Sequence, residues 1–285
     1  MNKNKIPVVI VGLGRIASLL EDDKRREKPC THAGAAAAND DCVLVAGCDT
    51  DEKRRKLFAE RWHVPVYAKA DEMLREHMPE ILVIATDPDS HERYCSLAYA
   101  SGVPVAVCEK PLADTLAGAR RITALLGQKV PARGGDSGNR GAFRIIVNHE
   151  RRYSADYIRA KEILEGGRLG ALISARGVLY MGKGSLVDVL WHDGTHLADA
   201  IMFLTGCTLR QVRSWGSPLK AREGTAYLAG VLSRDDVTGR GKGKGYPCVI
   251  EVGARRDHLV FEIEFSCETG RLRIGNGVYE VWESA

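Results

Sequence analysis

Val8-Val9-Ile10-Val11-Gly12-Leu13-Gly14-Arg15-Ile16-Ala17 decides how this chain is read. A short β-branched apolar run ends in Gly12-x-Gly14-x-x-Ala17, ahead of an expected helix. Such a run reads as a parallel strand buried on both faces. A glycine turn from that strand into a helix lets backbone N–H groups approach a pyrophosphate, and the helix start favours its charge. Gly12 permits the tight turn and Gly14 the close approach, while Ala17 is small enough for helix and strand to pack. Arg15 and Ile16 lie inside the turn and are expected to face the same ligand. Alone the motif is weak, because glycines after a strand often make only a turn.

Working outward, Glu21 to Thr31 is a charged stretch containing Pro29 and reads as an inserted loop before alanine-rich helix from His32 to Ala38. Val43 to Cys48 is a second buried strand ending at Asp49. A carboxylate there can accept hydrogen bonds from ribose hydroxyls and repels a 2′-phosphate, so NAD is the expected cofactor, with NADP the alternative. The usual spacing from the glycines is about 20 residues. Here it is 37 (49 minus 12), and the insertion accounts for much of the excess. The bland reading of Asp49 is a cap for the helix over 51–62.

Strand and helix then alternate, with strands at 65–67, 81–86 and 103–108 and helices at 71–77, 92–100 and 114–126. This argues for a doubly wound parallel sheet, whose ligands sit beyond the carboxyl ends of the strands. Thr86, His91, Glu109 and Lys110 all fall at or just after such ends. Lys110 in a cleft could polarise a substrate oxygen, and partial burial would lower its pKa. Its bland reading is a surface lysine before a helix-starting proline.

The stretch 128–141, rich in glycine, reads as a loop near the domain boundary, and a strand at 143–148 and the paired Arg151 and Arg152 follow. After a helix at 155–164 and a strand at 172–180, His192-Asp193-Gly194-Thr195-His196-x-x-Asp199 reads as the opening of a helix. On one helix, His192, His196 and Asp199 would share a face and suit acid–base work, and Asp193 stands beside them. Two imidazoles at i, i+4 could also share a divalent metal, but no further ligand motif accompanies them, so no metal is expected. From Leu209 onward six strand patterns follow one another, implying a mainly antiparallel sheet, with 234–245 as a solvated hairpin loop. The reading is therefore α/β: a dinucleotide-binding domain over 1–127, then an α+β domain over 128–285 with a large open sheet. Loops such as 181–189 are expected to wall the substrate pocket. One face of that sheet could be covered by self-association, as a homodimer or homotetramer.

The totals agree with this. The 285 residues are 45% hydrophobic and 27% charged, with a formal net charge of +4. No Lys/Arg block stands with aromatics, so nucleic acid is not an expected partner. No apolar run approaches a membrane span, and no signal peptide is read at the start, so a cytoplasmic protein is expected. The eight cysteines show no CxxC spacing and read as reduced and mostly buried.

Taken together, Gly12 to Ala17, Ala85-Thr86-Asp87-Pro88-Asp89-Ser90-His91, Cys108-Glu109-Lys110-Pro111-Leu112-Ala113, Asn148 to Tyr153 and Gly194-Thr195-His196-x-x-Asp199 resemble the glucose–fructose oxidoreductase/inositol dehydrogenase (Gfo/Idh/MocA) family over nearly the whole chain. The resemblance implies a Rossmann domain and an NAD(P)-dependent oxidoreductase acting on a sugar, polyol or related hydroxy compound. It implies that Lys110 polarises the reacting oxygen, that His196 accepts the proton, and that Glu109, Thr86 and His91 line the cofactor. Arg152 and Asp199 match positions near the substrate. Where the family often has an aspartate four residues before the catalytic histidine, this chain has His192, with Asp193 next to it. The chain also stops soon after Trp282, where family members commonly continue with another strand and a helix. Two other classes share these residues: an NAD-using lyase or glycosidase that oxidises, eliminates and re-reduces, and a non-catalytic nucleotide or sugar sensor.

Overall fold

In the computed structural model, residues 5–132, 141–218, 220–234 and 245–284 are described. The loop expected over 128–141 and the hairpin loop expected over 234–245 lie mostly outside them. The chain forms two compact units, Met1–Asn148 and His149–Ala285. The boundary therefore falls at 148 and not at 127. The reason is β6 (Arg144–Val147), which pairs in parallel with β5 (Val105–Cys108) and so belongs to the first sheet.

The first unit holds a six-stranded parallel sheet with β1 (Ile6–Val11), β2 (Cys42–Cys48), β3 (Val66–Tyr67) and β4 (Ile81–Ile84), ordered β3-β2-β1-β4-β5-β6. The order reverses between β1 and β4, the point at which doubly wound sheets open for a ligand. Helices α1 (His32–Ala38), α2 (Glu52–Trp62), α3 (Ala70–His77), α4 (His91–Ala100) and α5 (Leu116–Thr123) connect the strands. Val9, Ile10, Leu82 and Ile84 are fully buried, as continuous apolar strands should be when helices cover both faces.

The helix expected directly after the glycine turn is absent. Ser18 and Leu19 N–H groups bond back to Gly14 O, giving one turn, and a 3-10 segment (Leu19–Asp22) follows. The first full helix, α1, begins only at His32. Charged 21–31 has no apolar stripe to lay on the sheet, so nothing holds it helical.

The second unit carries a seven-stranded sheet ordered β13-β12-β11-β7-β10-β9-β8. Its members are β7 (Leu172–Met181), β8 (Thr208–Gly216), β9 (Gly224–Ser233), β10 (Tyr246–Ala254), β11 (Val260–Cys267), β12 (Gly270–Gly275) and β13 (Val278–Glu283). Among the described residues of this sheet only the β7–β10 pair is parallel. Helices α6 (Ala155–Glu165), α7 (Leu186–His192) and α8 (Gly194–Thr205) pack on one face. Gly177 makes this possible for α8. A Cβ there would come within about 3.0 Å of Leu197 and 3.1 Å of Ile201. The other face alternates ion pairs such as Arg176–Glu251 with exposed Val249 and Trp282.

Candidate dinucleotide site and acid–base cluster

Register sets up the first half of the site. Val11 pairs with Cys48 and with Ile84, Ile84 with Cys108, and Cys108 with Val147. The residues that follow these four strand ends and β6 therefore form one row: Asp49, Gly12, Ala85, Glu109 and Asn148. Backbone bonds continue across it, from Gly12 N–H to Cys48 O, Ala85 N–H to Val11 O, Glu109 N–H to Ile84 O and Asn148 N–H to Cys108 O.

Gly12 has φ +83°, and a Cβ on it would fall 2.6 Å from Ala85 O. Only glycine fits there. Beside Gly14 the nearest atom to an added Cβ is Arg54 Nη1 at 3.8 Å, so the space over the turn is open for a ligand's backbone approach. Arg15 is exposed and Ile16 half-buried in the turn. The Asp49 carboxylate accepts the Leu13 N–H at 2.8 Å and the Asp51 N–H at 2.9 Å, with Arg54 Nη1 at 3.6 Å. It ties β2 to the glycine turn. It does not cap α2, which is capped by Asp51 through Lys53 and Arg54 N–H. Thr86 presses on Gly12 and accepts the Ser90 hydroxyl at 2.6 Å. These features fit a dinucleotide: an open glycine turn, an acidic residue at the β2 end, and a sheet order that reverses alongside.

His91 is fully buried, its ring nitrogens 3.0 Å from Pro111 O and from Thr86 O. It fastens the β4 loop to the β5 loop, and so its influence on a bound ligand passes through those loops. Glu109 is buried beside half-buried Lys110. Its Oε1 accepts Asn148 Nδ2–H at 2.7 Å and the His32 ring Nε2 lies 2.8 Å away, while Oε2 accepts the Lys110 N–H at 3.3 Å. Burial pushes this carboxyl up, but the His32 and Asn148 donors and the Lys110 N–H outweigh it and hold it below the usual carboxylate range.

The second cluster lies within the second unit. Asp199 is buried on α8 and takes both arms of Arg152, Nε at 2.8 Å and Nη2 at 2.6 Å. The pair raises the Arg152 guanidinium above its ordinary range against the pull of burial. His149 Nε2 stands 3.8 Å from Asp199 Oδ1, and its ring meets the His196 ring edge to face at 5.5 Å. Glu150 Oε2 lies 3.4 Å from His196 Nδ1. His192, by contrast, is not on the helix of His196. It is the exposed last residue of α7, and Asp193 breaks the chain before α8. The break lets α7 follow β9 and β10 while α8 follows β7, β8 and β11. The expected shared face of His192, His196 and Asp199 is therefore split. Segment 181–189, expected as a loop, is partly α7, started by a Ser185–Asp188 capping box.

Sequence reading did not find His32, Asn148, His149 or Glu150. Asn148 and His149 stand beside the quoted arginine pair, so their neighbourhood was visible. His32 gave no signal, because its partner is 77 residues away. Among the described residues no group of three or more His, Cys, Asp or Glu side chains is placed to hold a metal ion, and no helix is long and apolar enough to cross a membrane. All eight cysteines are free, six of them buried. Burial alone pushes the Cys248 thiol up to about 11.

Fold and strand-end row define a Rossmann dinucleotide-binding domain joined to an α+β domain. Residues 6–130 match the family model described as "Oxidoreductase family, NAD-binding Rossmann fold" (GFO_IDH_MocA). Over this domain, a little under half of its length, the chain is similar to the Gfo/Idh/MocA oxidoreductases, and the match to an NAD-binding fold points to NAD as the cofactor. An uncharacterised oxidoreductase of Schizosaccharomyces pombe is 31% identical over 55% of this chain and 41% of its own length. An inositol 2-dehydrogenase of Klebsiella pneumoniae is 29% identical over 59% of this chain and 43% of its own. The chain thus spans less than half the length of these relatives. In fold it is similar to a WlbA dehydrogenase from Chromobacterium violaceum, solved with NADH and UDP-GlcNAcA, at 17% identity and TM-score 0.75 over 100% of this chain and 79% of that one.

Proposed function

We propose that this protein is an NAD-dependent dehydrogenase that oxidises a carbinol of a sugar, polyol or related hydroxy compound. The observation that carries it is the row at the strand ends, in which an open glycine turn and a fixed Glu109–Lys110 pair stand on one sheet edge. Bound nicotinamide supplies the hydride acceptor. Lys110 donates a hydrogen bond to the substrate oxygen and stabilises the charge that develops on it. His196 takes the hydroxyl proton at a ring nitrogen, with His149 and the Glu150 carboxylate beside it. Arg152 is anchored by Asp199 and offers a cation to substrate oxygens, and His192 and Asp193, at the junction of α7 and α8, complete the candidate set. The inositol dehydrogenases among its relatives support the polyol class. A homodimer or homotetramer through the open sheet face is part of this reading.

A panel of inositols, sugars and hydroxy acids with NAD and NADP, followed at the absorbance of reduced nicotinamide, tests it. Lys110→Ala should lower kcat on the responding substrate by about 100-fold or more while the NADH dissociation constant stays within a few-fold. Normal turnover in that variant would overturn the mechanism.

A further inference from the structure

The inserted segment between the glycine turn and α1 has a definite construction. Glu21 folds back so that its Oε1 accepts the Cys30 N–H at 2.9 Å, the Thr31 N–H at 3.0 Å and the Thr31 hydroxyl at 2.8 Å. Thr31 Oγ1 in turn accepts the Gly34 N–H at 3.1 Å and caps α1. Lys28 Nζ closes the loop on Leu20 O and Asp23 O, at 3.0 and 2.9 Å. A Cβ at Gly34 would displace the Glu21 carboxylate from this place. His32 is the first residue of α1, and its N–H bonds to Ile16 O at 3.1 Å. The insertion thus holds the backbone at the start of α1, from which the His32 ring reaches Glu109.

We propose that His32 is a positioning residue: braced by the 21–31 segment, it fixes the Glu109 carboxylate, and Glu109 fixes the backbone of Lys110 through its N–H. The role rests on the function proposed above, in which Lys110 meets the substrate. The geometry carries it. One carboxylate oxygen is shared by donors from α1 and from the end of β6, and the other is turned to the Lys110 N–H. A donor at 2.8 Å from a carboxylate means that Nε2 carries the proton. The charged and titratable groups around Glu109 are His32 from α1, Lys110 next in the chain and the Cys108 thiol of β5; Asn148 is neutral. His32 favours the carboxylate through its ring donor and charge and Lys110 through its backbone N–H, and the neutral Asn148 donor adds to them. Removing His32 leaves a half-satisfied buried anion, which must take up a proton more readily.

The test needs no substrate. The full chain is labelled with 15N-lysine, and the Lys110 amide signal is identified by its disappearance in Lys110→Arg. Its shift is followed against pH in the wild type, His32→Gln and His32→Leu. In the wild type it should step below the usual carboxylate range. In His32→Leu the midpoint should rise by about one pH unit or more. His32→Gln keeps an amide donor without the charge, so its midpoint should lie between. If the leucine variant does not fold, the glutamine variant decides alone. Equal midpoints in all folded forms would overturn the role. Added NADH should move the same signal in the wild type. If it does not, the proposed function fails while the pH step still judges the His32–Glu109 contact.

Discussion

At the scale of residues, Asp199 shows how a site residue can be seen in sequence while its partner is not. Its place one turn after His196 was legible, and so was the arginine pair at 151–152. That Arg152 grips Asp199 with two arms was not, because 47 residues separate them. A buried carboxylate with a bidentate guanidinium is strongly hydrogen-bonded, but Arg152 is 42% exposed and water screens part of the gain. Asp199→Asn should therefore cost about 1–2 kcal/mol, read as a lower Tm. It should also loosen Arg152 and raise KM on the substrate found by the panel. A variant with unchanged Tm and KM would show that the pair contributes little.

Among elements, the turn from β2 into α2 divides between two aspartates the roles that the sequence reading offered for Asp49 alone. The sequence reading offered Asp49 as the cap and began the helix at Asp51. The structure gives the cap to Asp51 and turns Asp49 toward Leu13 N–H. Asp51→Ala should lower stability by about 1 kcal/mol and leave NADH affinity unchanged. Asp49→Asn should weaken NADH binding about tenfold or more, as the loss of a charged acceptor implies. Fluorescence titration with NADH together with thermal melts of both variants separates the two. The opposite pattern would exchange their roles. α7 and α8 teach a related lesson. Periodicity from His192 to Asp199 was real, but packing onto different strands broke the helix at Asp193.

For the whole molecule, each unit has its own core. Val9, Leu82 and Ile84 belong to one and Leu197, Ile263 and Phe265 to the other. Because β6 closes the first sheet, a piece ending at 127 would lose a strand and Asn148. Residues 1–148 made alone should fold cooperatively and bind NADH. A hundredfold excess of NADH over its dissociation constant should add about 2.7 kcal/mol to their stability. Residues 1–127 should not match either property. Circular dichroism melts with and without NADH compare them. Equal behaviour of the two fragments would remove the case for a boundary at 148.

The amino-acid order by itself indicated the class of each half and the glycine turn, and it singled out Asp49, Glu109, Lys110, His196 and Asp199 as candidates. These are local signals: apolar runs of strand length, glycines at fixed offsets, polar residues at strand ends. Only the tertiary structure decided that Glu109 answers to His32 and Asn148, that Arg152 answers to Asp199, and that β6 belongs to the first sheet. Contacts between residues far apart in the chain depend on strand register and helix packing, and no short window of sequence carries them.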